Sequence, residues 1–493
     1  MKGSRREFLK RSGGCALGMV TLATQMQHMG LMSALAQKVQ DDSAVQGGDN
    51  YKALVLVFFS GGNDGNNLVI PNHADSTISN YSVYAAGRGP DLAIPQASLL
   101  PISVPRMGGL TYGLHPNFGT GATNAGIHPL WADGKLAIVT NVGTLVRPTT
   151  KAQMTLSSHP KPYQLYSHSD QTFQNQTSIS NTQSFTGWGG RLSDRLTGGQ
   201  NPSGLIPMVT SIAGAQLFTA GQTTLPMAIN DSNTSLANVL NPAGFTNAAN
   251  GGPARLTGFN SLRSIDLQSN YVAAASHVTD LAMNANAALQ APGDTTVTFP
   301  NTSIGRQLRQ VARLIKKRTE LNVNRQIFYC QIGGFDTHSG EPAQHVNLFN
   351  QFSQAARSFY DELGPGNQNV IDNVTLFTLS DFGRTFQASG SGTGVGTDHA
   401  WGNHMIVMGG SVLGGDFYGM NTAVNGTPYP HLQMGGLDDT DSGSSPRGRW
   451  IPTTSVDQYA ATLARWFGLA EADMPSVFPN IANFTTSNLG FMP

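Results

Sequence analysis

Cysteine is nearly absent from the sequence. Two cysteines occur among 493 residues, and Cys15 lies within the first 36 residues, which have the pattern of a removable export signal. Cys330 is then left without a partner, which excludes an intramolecular disulfide in the mature chain. Because Cys330 falls in the apolar run Gln326–Ile332, we expect a buried, unreactive thiol in a strand rather than a nucleophile.

Charge is also scarce, and it is balanced. Lys and Arg total 29 and Asp and Glu total 29, so the net charge is zero, and the charged fraction is only 12%. Globular proteins carry roughly 25% charged residues. We therefore expect no nucleic-acid partner. The apolar fraction of 39% excludes a chain that is disordered throughout, and the length excludes a small binding module.

Two further signals are missing. No uninterrupted apolar run reaches the roughly 20 residues that a membrane-spanning helix needs, so we expect no transmembrane anchor after removal of the signal. The glycines between Gly390 and Gly396 form no strand-to-helix phosphate loop of the Rossmann or P-loop kind. Nucleotide binding is therefore not expected.

The N-terminus carries a targeting segment. Residues 1–36 begin with five basic residues, continue through a weakly apolar run and end at Ala34-Leu35-Ala36, a typical cleavage site. Within this segment, Ser4–Lys10 matches the twin-arginine export signal. This pattern predicts a periplasmic or secreted protein. Twin-arginine export carries folded proteins, often with a metal already bound, which favours a metal site in the mature chain.

Short apolar runs alternate with amphipathic segments. Strands are predicted at 53–59, 136–140, 206–209, 326–332, 374–379 and 405–408, and helices at 304–321, 342–363 and 456–469. This alternation predicts an α/β fold with three layers, in which a mainly parallel central sheet has helices on both faces. We expect one domain over residues 37–493, with surface insertions rich in Gly, Ser and Asn near 171–186, 219–260 and 389–397.

Three of the predicted strands lead into an acidic residue, namely Asp64, Asp336 and Asp381. In parallel α/β sheets, ligands bind at the carboxyl ends of the strands, so these residues are expected to converge. The segments Asp336–His338 and Asp398–His404 add imidazoles, of which His404 is either a ligand or the partner of one. Mixed carboxylate and imidazole groups predict one or two divalent ions, Zn, Mn, Ca or Mg. Each motif alone is also compatible with a simple turn.

Two residues are candidates for catalysis. Ser167 begins a Ser-x-x-Asp pattern, which is typical of a helix N-cap and would also place a nucleophile beside a metal and an anion. Arg384 follows Asp381 and has the geometry to hold a phosphate or sulfate, although a structural ion pair explains it equally well. His345, on the predicted helix 342–363, is expected on a solvent-exposed face.

These motifs occur in an order that resembles a known family. The chain is similar to the exported bacterial family called domain of unknown function 1501, which looks like a branch of the alkaline phosphatase and sulfatase superfamily. The motifs that carry the resemblance are Gly61–Gly65, Leu114–Pro116, Ser167–His168, Thr186–Trp188, Gly334–His338, Ser380–Arg384, Asp398–His399 and Gly409–Gly410.

The resemblance implies roles for residues of this chain. It implies that Asp64 and Asn67 belong to a metal-binding loop after the first strand and that Ser167 is the nucleophile. The metal ligands that it implies are Asp336, His338, Asp381 and His399. Phe382 departs from the superfamily pattern, because a histidine ligand usually stands there. Asp336-x-His338 is also shorter than the usual spacing, and Asn66 replaces a usual leucine. These departures leave open the number of metals.

The sequence supports two functions of different classes. The first is an exported metal-dependent hydrolase of a small anionic phosphate or sulfate ester. The alternative is a metal-stabilised envelope or binding protein that keeps the fold without turnover. The resemblance also implies a possible protein partner, since this family tends to be encoded beside another exported family.

Overall fold

The computed structural model describes residues 50–239, 248, 251–265, 267–268, 270–290 and 293–493. The predicted signal, residues 1–36, and part of the predicted insertion 219–260 lie outside these residues. Within the described part of the chain, no helix is both long and apolar enough to cross a membrane.

The centre of the protein is a mixed, mostly parallel sheet in the order β11-β5-β10-β9-β1-β8-β6-β7, with β12 also paired to β5. A separate antiparallel sheet has the order β2-β4-β3. The strands are β1 Lys52–Ser60, β2 Val69–Pro71, β3 Leu100–Val104, β4 Leu110–Leu114, β5 Leu136–Gly143, β6 Val209–Ser211, β7 Met227–Ala228, β8 Arg325–Gly333, β9 Val374–Ser380, β10 Asn403–Gly409, β11 Phe417–Tyr418 and β12 Thr454–Ser455.

Helices cover both faces of the central sheet. They are α1 Tyr81–Arg88, α2 Pro129–Ala132, α3 Lys151–Met154, α4 His168–Thr177, α5 Trp188–Gln200, α6 Leu236–Val239, α7 Gly252–Arg263, α8 Asn270–Gln290, α9 Ser303–Lys316, α10 Glu341–Leu363, α11 Val456–Phe467 and α12 Met474–Val477. The predicted α/β class with helices on both faces is confirmed. The strand expected at 206–209 begins at Val209 instead.

Alternation along β1 builds a core on each face of the sheet. Val57 packs with α9 and α10 residues such as Phe352, and Leu56 packs with α5 and α11 residues such as Tyr459. Each fully buried Val, Leu or Phe side chain contributes about 1.5–3 kcal/mol to folding. Cys330 in β8 belongs to the first core and is fully buried, and burial raises the pKa of its thiol well above the usual range.

The direction of the strands explains why distant residues meet. β8 and β9 pair with β1 in parallel, so the segments that follow Gly333 and Ser380 leave the sheet at the same edge. β10 is antiparallel to β9, so the segment before Asn403 begins at that same edge. Residues after β8, after β9 and before β10 therefore come together above the carboxyl ends of the parallel strands.

Residues 171–177 differ from the expected surface insertion. They form most of α4, where Gln171, Gln174 and Asn175 are buried. The amide nitrogens of two of them have internal acceptors, since Gln174 donates to the Tyr163 carbonyl at 2.7 Å and Asn175 donates to the Asp381 carbonyl at 2.9 Å. Amide-rich composition indicates exposure only when such partners are missing.

Candidate metal centre

Four side chains converge at the carboxyl edge of the sheet. The Nε2 atoms of His168 and His338 lie 3.0 and 2.9 Å from the Nε2 atom of His399. Asp336 Oδ1 lies 3.3 Å from His168 Nε2, 3.1 Å from His338 Nε2 and 3.4 Å from His399 Nε2. These residues come from the start of α4, the loop after β8 and the loop before β10.

The other nitrogen of each ring fixes where the proton lies. His168 Nδ1 is 2.8 Å from Asp381 Oδ2, and His338 Nδ1 is 2.9 Å from Asp398 Oδ1. His399 Nδ1 is 2.8 Å from the Tyr166 carbonyl oxygen. Carboxylates and carbonyls only accept hydrogen bonds, so each Nδ1 carries a proton and, in a neutral ring, each Nε2 presents a lone pair.

Lone pairs that face one another at such distances require a positive charge between them. One protonated ring would satisfy one close pair of nitrogen atoms, whereas a metal cation satisfies all of them. Histidines that bind metals typically donate their other nitrogen to a carboxylate or carbonyl, as these three do. Ligands of a tetrahedral zinc ion lie about 3.3 Å apart. The ligand atoms of His168, Asp336 and His399 all lie within 4.8 Å of one another, so these three residues fit one divalent cation, with the His338 nitrogen as a neighbouring fourth donor.

The centre is open on one side. The exposed fractions of the side chains are 34% for His168, 48% for Asp336, 46% for His338 and 24% for His399. Phe382 closes the opposite side: its ring is 2% exposed and its centroid lies 4.7 Å from those of both His168 and His399. Phe382 thus packs against these two histidines as an apolar wall.

Local charges and burial shift the pKa values of these groups in different directions. Burial opposes ionisation of Asp336, but the hydrogen bond from Arg384 and the neighbouring histidines hold the pKa of its carboxyl below the usual range. The hydrogen bond to Asp381 raises the pKa of His168, whereas burial lowers the pKa of His399.

Arg384 forms the structural ion pair that was one of its two expected roles. Its side chain is fully buried, and Nη1 donates to Asp336 Oδ1 at 2.9 Å. Nε and Nη2 donate to the hydroxyl and carbonyl oxygens of Thr397 at 3.1 and 2.6 Å. These bonds make Arg384 the residue that orients Asp336.

Asp381 and Asp398 support the converging atoms from behind. Asp381 accepts from the Gly61 amide at 3.1 Å as well as from His168. Asp398 accepts from Ser389 Oγ at 2.8 Å and from Arg447. Burial opposes ionisation of Asp398, but these two partners lower the pKa of its carboxyl to about 2. Asp381, expected as a ligand, thus holds one ligand in place.

Removal of these supporting charges is expected to weaken metal binding without abolishing it. Asp381→Asn and Asp398→Asn should each lower the affinity by about 10–100-fold, the usual effect of losing a carboxylate behind a ligating histidine. Competition against a chromogenic chelator measures this change. Asp361→Asn is the matched control, because Asp361 pairs with Arg357 near the far end of α10. Unchanged affinity in both variants would show that these carboxylates do not serve the centre.

Ser167 is the N-cap of α4. Its Oγ lies 2.5 Å from Asp170 Oδ2 and 3.5 Å from the Asp170 amide nitrogen, and 3.1 Å from Ser169 Oγ. The capping explanation therefore describes its contacts. It is the next residue, His168, that reaches the converging atoms.

The remaining predicted ligands lie elsewhere. Asp64 pairs with Arg88, and Asn67 accepts from the Tyr84 hydroxyl at 2.7 Å. His404 is buried, accepts from the Asn141 amide at 3.1 Å and has its pKa lowered by burial to about 3. These three residues are fully engaged in the interior, so the structure does not bring them to the centre with Asp336, His338 and His399.

The comparison with protein families decides where the chain belongs. The family model described as "Protein of unknown function (DUF1501)" matches residues 51–430. The chain belongs to the DUF1501 family. This match includes every residue of the metal centre described above. Export of this DUF1501 member stays a prediction.

Comparison with individual proteins adds little. Among curated proteins, none matches the sequence. One similar solved structure is a sulfatase from Pseudoalteromonas sp., with 12% identity, a TM-score of 0.27, and coverage of 86% of this chain and 77% of that chain. A likeness at this level carries no argument about the activity of this DUF1501 member.

His168 and Asp398 are the residues of the centre that sequence reasoning missed as participants. Both stood in motifs that were noticed, Ser167–His168 and Asp398–His399. A signal existed for His168, because the residue after an N-cap serine points out of the first turn, where a helix can meet a site. Asp398 stands next to His399 in the sequence, but in the structure it accepts from His338, which the sequence does not indicate.

Proposed function

We propose that the protein is an exported hydrolase of phosphate or sulfate esters that depends on one divalent metal ion. The observation that carries this proposal is the convergence of three imidazole lone pairs and the Asp336 carboxylate, each ring held by a second acceptor, at an open edge of the sheet. Three imidazoles and one carboxylate favour zinc or its neighbours over calcium and magnesium.

The residues of the chain have separate tasks in this proposal. His168, Asp336, His338 and His399 would hold the ion, and Arg384 fixes the Asp336 carboxylate. When bound, such an ion supplies Lewis acidity, which polarises ester oxygens and makes water more acidic. Phe382 shields the inner side, so the exposed side near His338 and Asp336 is where an anionic ester would approach.

A cleft of about 700 Å³ lies on the β8 side of the sheet, and in this proposal it holds the rest of a substrate. It opens at the ends of β6, β7 and β8, and its wall includes Gly333. Gly333 is three residues from Asp336, so their Cα atoms are at most about 11 Å apart. Side-chain amides such as Gln216, Asn230 and Gln331 line the cleft, and its one carboxylate, Asp231, pairs with Arg306. An uncharged, hydroxyl-rich group matches this lining.

An ester screen tests the proposal. The chain without residues 1–36, loaded with zinc, manganese or calcium, is assayed on a nitrophenyl phosphate and a nitrophenyl sulfate. We expect hydrolysis of at least one ester, its loss on chelation and its return with the ion. Metal-loaded protein that is inert on both esters, and on the corresponding sugar esters, would contradict a hydrolase.

Ser167→Ala separates a capping serine from a nucleophile. The capping contacts predict a loss of about 1 kcal/mol in the free energy of unfolding, with metal content and turnover retained. Urea denaturation and the ester assay measure the two effects. Loss of turnover with stability unchanged would instead identify Ser167 as the nucleophile.

A second function is favoured by the burial of Arg384. Within the described residues of the centre, the arginine that was expected to hold an ester anion is committed to Asp336 and Thr397. A metal-stabilised binding protein of the envelope would need no such anion clamp. Full metal occupancy, a lower melting temperature on chelation and inertness towards all esters would support this alternative.

A further inference from the structure

A second group of metal-capable side chains lies in the interior. Asp64, Glu341 and His345 each offer a ligand atom, and these atoms lie within 4.8 Å of one another. All three residues are buried, with exposed fractions of 0%, 0% and 1%. His345, expected on a solvent-exposed face, is therefore an interior residue. Burial lowers the pKa of its ring to about 4, so it is neutral near pH 7.

The guanidinium of Arg88 already provides a cation for this group. Its Nη2 pairs with Asp64 Oδ2 and lies 3.3 Å from Glu341 Oε1. Its Nη1 donates to the carbonyl oxygens of Thr385 and Phe386, each at 3.0 Å. The Arg88 side chain is 0% exposed, so it has no contact with solvent.

We propose that Arg88 is a permanent cation that takes the place of a second metal ion, so that the protein binds one ion. Asp64, Glu341 and His345 then form a latent divalent-metal site, which opens only when Arg88 is removed. This inference rests on the proposed metal centre for the ion that is bound, but it does not depend on turnover.

Three observations favour a permanent guanidinium over an exchangeable metal. Arg88 is anchored on two backbone carbonyls that a metal at the carboxylates would leave without a donor. A buried carboxylate pair needs a compensating charge, and a guanidinium cannot lose it by deprotonation. The Arg88 side chain is fully buried, so the guanidinium is enclosed by the folded protein.

The fixed charge is also connected to the open centre. Thr397 Oγ1 donates to Glu341 Oε2 and accepts from Arg384 Nε, and Arg384 Nη1 donates to Asp336 Oδ1. The positions of Arg88 and Asp336 are therefore linked through consecutive hydrogen bonds. Arg88 acts through these bonds as a positioning residue for the single ion.

Elemental analysis of the whole mature chain tests the inference. Wild type, Glu341→Gln and His345→Asn are equilibrated with zinc, manganese or calcium and freed of excess ion. We expect the same metal content in all three, at no more than one equivalent. Two equivalents in wild type, with one lost in His345→Asn and in Glu341→Gln, would overturn the inference. A wild type without metal would overturn the proposed hydrolase and the count of one ion, and the Arg88→Ala variant would then decide whether the latent site exists.

Removal of the guanidinium provides the second arm. Arg88→Ala should bind one equivalent more than wild type, and its melting temperature should rise on addition of the ion by more than that of wild type. Addition of Glu341→Gln to Arg88→Ala should remove this extra equivalent. Arg106→Ala is the matched control, because Arg106 pairs with Asp416 at the surface. No additional metal in folded Arg88→Ala would overturn the latent site, and if Arg88→Ala does not fold, the first arm decides.

Discussion

His399→Ala is expected to empty the metal centre. The Nε2 atom of His399 is the nitrogen that both other rings approach, at 2.9 and 3.0 Å, so its loss removes the middle of the donor set. A zinc site in a protein is worth about 10–16 kcal/mol, and four protein ligands share it. Loss of one ligand should therefore lower the affinity on the order of 10²–10³-fold. The metal content measured after dialysis and the rate of ester hydrolysis should both fall to background.

His128→Ala is the control for this variant. His128 precedes α2, and its Nε2 lies 3.0 Å from the Pro101 carbonyl oxygen, in a contact that does not involve the centre. Its metal content should equal that of wild type. Full metal content in His399→Ala, measured on folded protein, would rule out the centre as we describe it.

Gly61→Ala is expected to disrupt the same centre without touching a ligand. Gly61 has a φ of +119°, and an added Cβ would lie 2.4 Å from the Asp336 backbone nitrogen and 2.8 Å from the Phe335 carbonyl carbon. Backbone strain costs about 1–3 kcal/mol. Overpacking against rigid backbone adds a similar amount. We expect the free energy of unfolding to fall by about 4 kcal/mol and metal affinity to fall with it, because Asp336 must move.

Gly108→Ala isolates the effect of backbone conformation. Gly108 has a φ of +70° with open space around the position of a Cβ atom, so only the left-handed conformation opposes alanine. Its cost should be about 1–2 kcal/mol, with metal affinity unchanged. Equal losses of stability and equal metal affinity in the two variants would show that the contact between Gly61 and the Asp336 loop is unimportant.

The central strands could be predicted from sequence because they are long and apolar. The runs in β1, β8 and β9 are mostly buried and apolar, and β1 has no polar residue between Lys52 and Ser60. The two-residue strands β7, β11 and β12 are too short to show a period. The buried amides of α4 were unpredictable for another reason, since composition does not show whether a glutamine finds a partner.

Part of the centre could be predicted from the rule that the carboxyl ends of parallel strands lie at the same edge of a sheet. This rule brought out Asp336, His338 and His399, which the structure does place together. It missed His168, because that ring comes from the start of a helix instead of the end of a strand. It also placed Asp64 among the ligands, because spacing along the chain cannot show that Arg88 arrives from α1 to neutralise it.

The pairing of β1 has a consequence for synthesis of the chain. Tyr51 and Gln326, whose side chains are hydrogen-bonded beside the sheet, are 275 positions apart. At about 5–20 residues per second, translation leaves the first strand without its β8 partner for roughly 14–55 s. This strand is a nine-residue segment that is almost entirely apolar, the type that associates with other chains when exposed. The nascent chain will therefore depend on chaperones to shield Lys52–Ser60 until β8 and β9 have been made.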